Sequence, residues 1–325
     1  MKRICLSFLI ITLGGSMAFA QTQADQKVGM TGADFLTIPV GARAAALGES
    51  FVALVSDASA VFWNPAALSH QEGSGIFASV TQWPADIIFS AGAITFQAKG
   101  IGNIGLFYTG MQMGQMRVRT AFAPDGTGEM FTAGGMALGV SWGRALTDMF
   151  GLGLSVKYIR EDYYTLASSG WAIDIGSVYN TGWKNLRIGM AMTNFGPDMG
   201  FEGTYARWYD INEPGRVVDY DEYSLPMAFR FGMAVDLMSS EAMNVTLVAD
   251  ANHPPDNVEI YSLGAEVTMM NMFQVRAGYK MGVEEGGLAL GAGVALPIAN
   301  TAVDVAYSTF GLLGSVTRGS ISLAF

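Results

Sequence analysis

The protein has 325 residues, of which 50% are hydrophobic and 14% are charged, and its formal net charge is −10. The 28 acidic residues outnumber the 18 basic ones and no basic stripe is present, which excludes a nucleic acid as the partner. Mean hydropathy is +0.31, yet beyond the N-terminal stretch no uncharged apolar run reaches the length of a transmembrane helix, which excludes a helical membrane protein.

The chain begins with the features of a secretory signal peptide. Lys2 and Arg3 form a short basic region, residues 4–17 are apolar, and Ala18-Phe19-Ala20 is a small-x-small cleavage site. Residues 1–20 are therefore predicted to be removed during export. The mature chain would keep 16 basic and 28 acidic residues, a net charge of −12.

The next segment, residues 21–75, is predicted to form a periplasmic N-terminal segment and a hatch. Within residues 32–69 an Ala-rich turn and short extended pieces replace strand alternation. Residues 57–68 predict a short helix with Asp57 as N-cap and the pair Asn64-Pro65 as its end. Because a free-standing domain of this size would be marginally stable, the segment is expected to lie in a barrel lumen.

The rest of the chain, residues 76–325, predicts an all-β fold, a transmembrane antiparallel β-barrel of about fourteen strands. Segments of alternating hydrophobicity are separated by links that are short and long in turn, as in outer-membrane barrels, with the long loops outside. The predicted strands are 76–83, 89–99, 103–113, 131–146, 150–164, 170–180, 185–195, 225–238, 243–252, 259–270, 272–281, 286–296, 301–309 and 314–325.

The last strand carries the clearest barrel signal. Thr317, Ile321, Leu323 and Phe325 alternate with Arg318, Ser320, Ser322 and Ala324, so one face is suited to lipid and the other is polar. The same alternation places nine charged residues of other strands on the equivalent polar face, which makes ten with Arg318. A basic residue on the lipid face costs roughly 2 to 4 kcal/mol at the bilayer midplane, so the charged face is the lumen.

A polar network is therefore expected inside the barrel. Its candidate residues are Lys157, Asp174, Arg187, Arg230, Asp236, Asp250, Arg276, Lys280, Asp304 and Arg318. Small inward residues leave space, among them Gly139, Gly143, Gly153, Gly189, Gly232, Gly291 and Gly293. Fourteen strands enclose a lumen that side chains alone do not fill, which requires a plug. Phe107, Ile159, Phe195 and Phe310 are expected to face inward as well.

The longest loop, residues 196–223, mixes aromatic and acidic residues. Its aromatic candidates for recognition are Phe201, Tyr205, Trp208, Tyr209 and Tyr220, and packing of the loop on itself is the alternative interpretation. Asp219, Asp221 and Glu222 lack the spacing of a calcium loop, so no metal site is assigned. His70 and His253 are isolated and no nucleophile motif accompanies them, so no catalytic residue and no cofactor are expected.

Two runs in the N-terminal segment carry a resemblance to a known family. The run from Gly32 to Glu49, GADFLTIPVGARAAALGE, and the later pieces Asp57-Ala58-Ser59-Ala60 and Trp63-Asn64-Pro65-Ala66-Ala67-Leu68 resemble the N-terminal signature of the PorV/PorQ family. That family is similar to FadL-type barrels, whose hatch carries an Asn-Pro-Ala motif. The resemblance implies an outer-membrane location in a Gram-negative bacterium and a lumenal hatch, with gate candidates Asn64, Pro65, Ala66, Trp63, Asp57 and Arg43.

Two functions follow from this resemblance. The PorV-like function is protein partnership in type IX secretion, in which cargo is captured or handed over at the cell surface. The FadL-like alternative is uptake of a hydrophobic small molecule. The expected partners are outer-membrane lipid together with secretion-system proteins or cargo, or with a hydrophobic molecule. An exposed apolar patch on the outer loops would favour the first function, and a contiguous apolar lumenal pocket the second.

Overall fold

The structure is a computed structural model that describes residues 29–207, 215–240, 242–283, 286–296 and 300–325. The predicted signal peptide and two loop candidates, Trp208 and Tyr209, lie outside the described residues. The strands are β1 (Gly75–Trp83), β2 (Ile87–Ala98), β3 (Gly102–Gln112), β4 (Met116–Arg117), β5 (Met130–Phe131), β6 (Ala133–Ala145), β7 (Phe150–Tyr163), β8 (Leu166–Asn180), β9 (Arg187–Phe195), β10 (Thr204–Arg207), β11 (Arg216–Asp219), β12 (Ala228–Ser239), β13 (Met243–His253), β14 (Ile260–Met269), β15 (Phe273–Met281), β16 (Leu288–Leu296), β17 (Thr301–Thr309) and β18 (Ser315–Ala324).

Fourteen of these strands form a closed antiparallel barrel, as the alternation predicted. Each barrel strand pairs with the next one along the chain, and β18 closes the wall on β1 with Gly75 opposite Ala324. The remaining four strands form two hairpins in the long loops, β4 with β5 and β10 with β11, which the sequence did not predict. The rim that holds Gly75 and Ala324 carries the short turns, which makes it the periplasmic rim.

The observed strand limits differ most from the predicted ones at β8 and β12. The strand β8 starts at Leu166 because Tyr164, with φ of 57°, turns the chain so tightly that Leu166 pairs with Tyr163. The strand β12 starts at Ala228 because Pro226, which the prediction had included, has no backbone N–H to donate to a ladder.

The two faces of the wall follow the predicted alternation. Ile94, Leu106 and Leu138 point outward and remain about half exposed, whereas Lys157 and Arg276 point inward and are 7% and 3% exposed. The prediction that Phe195 faces the lumen was wrong. A bulge shifts the pairing of β8 and β9 between Ile173 and Ile175, and Phe195 ends on the outside with 51% of its surface exposed.

The hydrophobic core lies inside the barrel and is supplied by the N-terminal segment. Short helices in that segment span Asp34–Thr37, Ala42–Ala46, Ala60–Trp63 and Pro65–His70, and another spans Gly311–Leu313. The largest fully buried side chains are Trp63, Phe35, Phe51, Leu47 and Leu68. Within the residues that the structure describes, no helix has the length and apolar character needed to cross a bilayer.

The predicted cap of the Ala60–Trp63 helix was wrong. Ser59 occupies the N-cap position, and the carboxylate of Asp57 instead accepts a hydrogen bond from the backbone N–H of Ser59 at 2.9 Å. Asp57 thus stabilises the turn before the helix. The helix does end at Asn64, and Pro65 opens the following 3₁₀ helix, where its missing N–H has no cost.

Candidate functional site

Residues 31–71, here called the lumenal segment, run through the barrel from one rim to the other. At the outer rim the N–H of Gly32 donates to Ser224 O at 3.0 Å, and Thr31 Oγ1 donates to Asp256 at 2.6 Å. At the periplasmic rim the side chain of Asn103 donates to the carbonyl oxygens of Leu68 and Gln71. Residues 32–69, expected to form a hatch, thus lie in the lumen and enter it at the outer rim, whereas the expected periplasmic segment before them lies mostly outside the described residues.

A row of three glycines in the wall receives the Asn-Pro turn of the lumenal segment. Gly143, Gly153 and Gly176 lie opposite one another on β6, β7 and β8, and together we call them the glycine platform. A Cβ on Gly153 would lie 2.2 Å from the carbonyl carbon of Pro65, and one on Gly176 would lie 2.0 Å from Asn64 Oδ1. Both distances are far below van der Waals contact, so the turn fits only where these wall residues have no side chain.

Further glycines receive other parts of the same segment. A Cβ on Gly189 would lie 2.5 Å from the carbonyl oxygen of Val52. Gly264 and Gly278, which lie opposite each other on β14 and β15, approach the backbone around Leu47 in the same way. The wall is thus shaped to the backbone of the lumenal segment along its length.

Asn64 connects two parts of the lumenal segment to the wall. Its Nδ2 donates to the carbonyl oxygens of Val52 and Ser177, each at 3.0 Å, and its Oδ1 accepts from the N–H of Ala66 at 3.1 Å. The side chain is fully buried. Its amide therefore uses both donors and the acceptor, which holds the Asn-Pro-Ala turn in one position.

The neighbouring Trp63 is held from two sides. Its indole N–H donates to the carbonyl oxygen of Val40 at 3.0 Å, and the guanidinium of Arg230 lies 4.9 Å from the centre of its ring. Arg230 forms no ion pair with another described residue, so the aromatic face of Trp63 is the group that its charge contacts.

A buried charge network links the lumenal segment to the opposite wall. Arg43 makes a bidentate ion pair with Glu266, with both N···O distances at 2.8 Å. Arg276 contacts the same carboxylate at 2.5 Å and Asp304 also at 2.5 Å. Glu266, Arg276 and Asp304 are 6%, 3% and 5% exposed, so the network is screened little by solvent.

Asp250 receives the turn that follows the Ala-rich helix. Its carboxylate accepts hydrogen bonds from the hydroxyl of Ser50 at 3.0 Å and from the N–H groups of Phe51 and Val52 at 2.8 and 3.1 Å. Glu49, which precedes Ser50, forms an ion pair with Lys280 at 2.6 Å. Three charged residues of the wall, Asp250, Lys280 and Glu266, thus contact the lumenal segment directly. A fourth, Arg276, is connected to it through Glu266.

The other predicted lumenal charges pair within the wall. Lys157 and Asp174 are 2.7 Å apart and both are buried, and Asp174 also accepts from the N–H of Asn194 in the β9 bulge. Arg187 and Asp236 are 3.1 Å apart near the periplasmic rim.

Arg318, the last of the predicted set, donates to Ser308 Oγ at 3.0 Å and lies over the ring of Trp83. The structure therefore places all ten predicted residues on the inner face of the wall, but in several separate groups.

A small cavity remains beside the lumenal segment. It has a volume of about 50 Å³ and is lined by Phe35, Val61, Phe62, Trp63, Phe89, Phe107, Lys157, Asp174 and Arg230 among others. Its volume is far below the roughly 300 to 1,000 Å³ of ligand pockets. Among the described residues, no three His, Cys, Asp or Glu side chains are grouped in a way that could hold a metal ion.

The loop aromatics form a cluster at the outer rim. The ring of Phe201 lies 5.8 Å from Tyr163, 5.7 Å from Tyr223 and 6.3 Å from Tyr220, and Tyr205 stacks on Tyr220 at 5.0 Å. These contacts match the expectation that the loop packs on itself. A recognition role for Phe201, Tyr205 and Tyr220 stays a prediction.

The sequence matches the model of one family over residues 21–253, described as type IX secretion system protein PorV. The chain belongs to the PorV family. It is accordingly an outer-membrane protein of a Gram-negative bacterium. No curated protein matches this PorV-family sequence significantly.

Solved structures with the same fold are FadL-like barrels. A FadL homologue from Pseudomonas aeruginosa is 12% identical with a TM-score of 0.60, and the alignment covers 89% of this chain and 99% of that one. The CymD monoaromatic hydrocarbon channel is 14% identical with a TM-score of 0.59 and coverage of 89% and 98%. The toluene transporter TbuX from Ralstonia pickettii is 12% identical with a TM-score of 0.55 and coverage of 88% and 98%. At these identities the likeness concerns the fold.

Sequence reasoning missed three acidic residues that the structure places in this PorV-family lumen. Glu266 and Glu161 lie on inward positions of β14 and β7, in the same alternation as Gly264 and Lys157, so the pattern could have found both. Glu49 lies in the irregular segment, where no periodicity indicates the direction of a side chain.

Proposed function

We propose that this protein acts as a protein-partner component of type IX-type secretion, which captures or hands over cargo at the outer face of the membrane. The family match supports the class of process. The observation that carries the proposal is the closed lumen, in which the lumenal segment is fitted to the glycine platform and joined to the wall by Glu266 and Asp250. A barrel closed in this way offers a partner its outer face.

The free energy needed to open the lumen supports the same conclusion. Withdrawal of the lumenal segment would take Arg43 away from Glu266, Glu49 away from Lys280 and three hydrogen-bond donors away from Asp250. Breaking one buried pair typically costs 3 to 5 kcal/mol. Since a whole domain is stabilised by about 5 to 15 kcal/mol, frequent opening as part of a transport cycle is disfavoured.

Apolar residues on the outer loops give a partner something to bind. Phe122, in the loop between β4 and β5, is fully exposed, and Leu312, in the loop between β17 and β18, is 93% exposed. Val217 in β11 is 67% exposed. A partner that docks on the outer loops can bury these side chains, and burial of exposed apolar surface favours binding.

The proposal is tested by purifying the tagged protein from its native outer membrane and identifying the associated proteins and lipids by mass spectrometry. Recovery of a large translocon, or of secreted proteins that share a C-terminal signal, is expected. The variant Phe122→Ser should recover less of them. Leu146→Ser is the matched control, because Leu146 is 55% exposed on a turn of the periplasmic rim. Absence of any stoichiometric protein partner would contradict the proposal.

Uptake of a hydrophobic small molecule is the second candidate function. It is favoured by the small lumenal cavity, which the aromatic residues Phe89 and Phe107 line together with Arg230. The present volume admits only one or two water molecules, so a ligand would require movement of the lumenal segment. Co-purified hydrophobic molecules that Arg230→Met loses, with no protein partner, would favour this function.

Neither function includes a catalytic step. His70 contacts Ser69 Oγ at 2.8 Å near the periplasmic rim, and His253 contacts Glu259 at 3.3 Å at the outer rim. The two histidines thus lie at opposite ends of the barrel. We assign catalysis to neither of them.

A further inference from the structure

An open cavity lies at the outer rim, above the point where the lumenal segment enters the barrel. Its volume is about 570 Å³, within the range of ligand pockets. Its walls come from the outer ends of β1, β2, β3 and β7, from Phe201 and Tyr223 and from the start of the lumenal segment. The aromatic and thioether residues that line it are Phe35, Trp83, Met111, Met113, Tyr163, Phe201 and Tyr223.

Glu161 supplies a buried carboxylate to this cavity. It is only 2% exposed, and the hydroxyls of Tyr163 and Tyr223 donate to its two oxygens at 2.9 and 2.7 Å. It forms no ion pair with another described residue. Its neighbours Arg160 and Asp162 point to the other face of β7 and pair with each other at 2.7 Å. A buried carboxylate balanced only by neutral donors keeps an uncompensated charge.

Asp34 adds a second carboxylate to the lining. Burial and the nearby carboxylate of Asp256 raise the pKa of Asp34, while the hydroxyl of Thr31 opposes this rise. Among the described residues that line the cavity there is no Lys, Arg or His. The guanidinium of Arg318 lies over the ring of Trp83, with its central carbon 5.6 Å from the ring centre. Among the described residues, no cation therefore pairs with the carboxylates of this cavity.

We infer that this cavity binds the lysine or arginine side chain of a protein partner that docks at the outer face. Aromatic faces attract ammonium and guanidinium groups through cation–π contacts. The ring of Phe201 packs between those of Tyr163 and Tyr223, so several faces surround the space above Glu161. An ion pair with Glu161 would then balance the buried charge. The inference rests on the proposed function in one respect, namely that the lysine or arginine belongs to a protein partner.

The test uses the full mature chain in detergent micelles and acetylated, amidated five-residue peptides Gly-Ser-X-Ser-Gly. X is lysine, arginine, norleucine or glutamate, and binding is measured by isothermal titration calorimetry. The lysine and arginine peptides should bind, and the norleucine and glutamate peptides should not. Glu161→Gln should weaken lysine-peptide binding about tenfold, equivalent to about 1.4 kcal/mol. Equal binding of the lysine and norleucine peptides would overturn the inference.

Two further variants separate a specific loss of binding from misfolding and from a general effect of charge. Phe201→Leu keeps a large apolar side chain but removes an aromatic face, and it should also weaken lysine-peptide binding. Asp162→Asn is the matched control, because Asp162 is the next residue along β7, is exposed and points away from the cavity. Its effect should stay within about twofold. Heat-modifiable migration on gels verifies that each variant is folded.

The inference and the proposed function can fail separately. If the native pulldown recovers secretion partners but folded Glu161→Gln retains lysine-peptide binding, the inference fails and the function stands. If the lysine peptide binds through Glu161 but no secretion partner is recovered, the cation site stands and the proposed function fails.

Discussion

The glycine platform yields a sharp prediction, the effect of Gly153→Ala. A Cβ at this position would lie 2.2 Å from the carbonyl carbon of Pro65 and 2.3 Å from the nitrogen of Ala66. Both atoms belong to the backbone, so no rotation of a side chain can relieve the contact. Ordinary contacts begin near 3.4 Å, so the turn must move by about 1.2 Å or more.

The cost of this movement follows from what the turn contacts. Overpacking of a tight interior typically costs about 1 to 3 kcal/mol. A displaced turn also stretches the three hydrogen bonds of Asn64, and each such bond contributes about 1 kcal/mol net. Because part of the strain will be relieved by small shifts, we expect a loss of about 2 to 5 kcal/mol in the free energy of unfolding.

The assay is urea unfolding in phospholipid vesicles, followed by tryptophan fluorescence and by heat-modifiable migration. Gly319→Ala is the control, because Gly319 is a wall glycine on β18 whose added Cβ would meet no atom within 4 Å. This control should be neutral or slightly stabilising, since alanine restricts the unfolded chain more than glycine does. If Gly153→Ala and Gly319→Ala unfold at the same urea concentration, the proposed fit between the platform and the turn is refuted.

Two further predictions concern charge. Glu266→Gln should lower the free energy of unfolding by about 3 to 5 kcal/mol in the same urea assay. The reason is that the guanidinium groups of Arg43 and Arg276 would lose the carboxylate that they share. A loss below about 1 kcal/mol would show that these ion pairs are effectively solvated. Lysine-peptide affinity should fall as the pH is lowered, and it should begin to fall above the ordinary pKa of an aspartate, because burial and Asp256 raise the pKa of Asp34 and protonation removes its charge. Asp34→Asn should flatten this dependence in calorimetric titrations, and an unchanged slope would assign it to another group.

The wall of the barrel could be predicted from the sequence because a strand with one face in lipid has a two-residue period. The ten inward charges were found in this way, since a charge on the lipid face is costly enough to fix the direction of a whole strand. The prediction was wrong at Phe195, where a bulge changes the alternation. The αL conformation of Asn194, with φ of 62°, is set by contacts to Asp174 and Pro226 across the wall, and a single strand does not reveal them.

The interior of the lumen was predicted less completely. The Asn64-Pro65 turn was recognised as the end of a helix, and Gly143 and Gly153 as small inward residues. That these residues meet depends on the register of β6, β7 and β8 and on the direction in which the lumenal segment enters. Both are set by contacts far apart in the sequence, such as the bond from Gly32 N to Ser224 O.

The path of the lumenal segment also constrains the order in which the barrel can assemble. The segment enters at the outer rim and passes at the periplasmic rim directly into β1, whose free edge pairs with β18 to complete the closed wall. A wall closed beforehand could acquire the segment only by drawing the chain through a lumen that fits its backbone closely. We therefore expect the sheet to wrap around the segment as a template, with the seam between β1 and β18 formed last. Deletion of the segment would then produce a barrel that assembles poorly instead of an open pore.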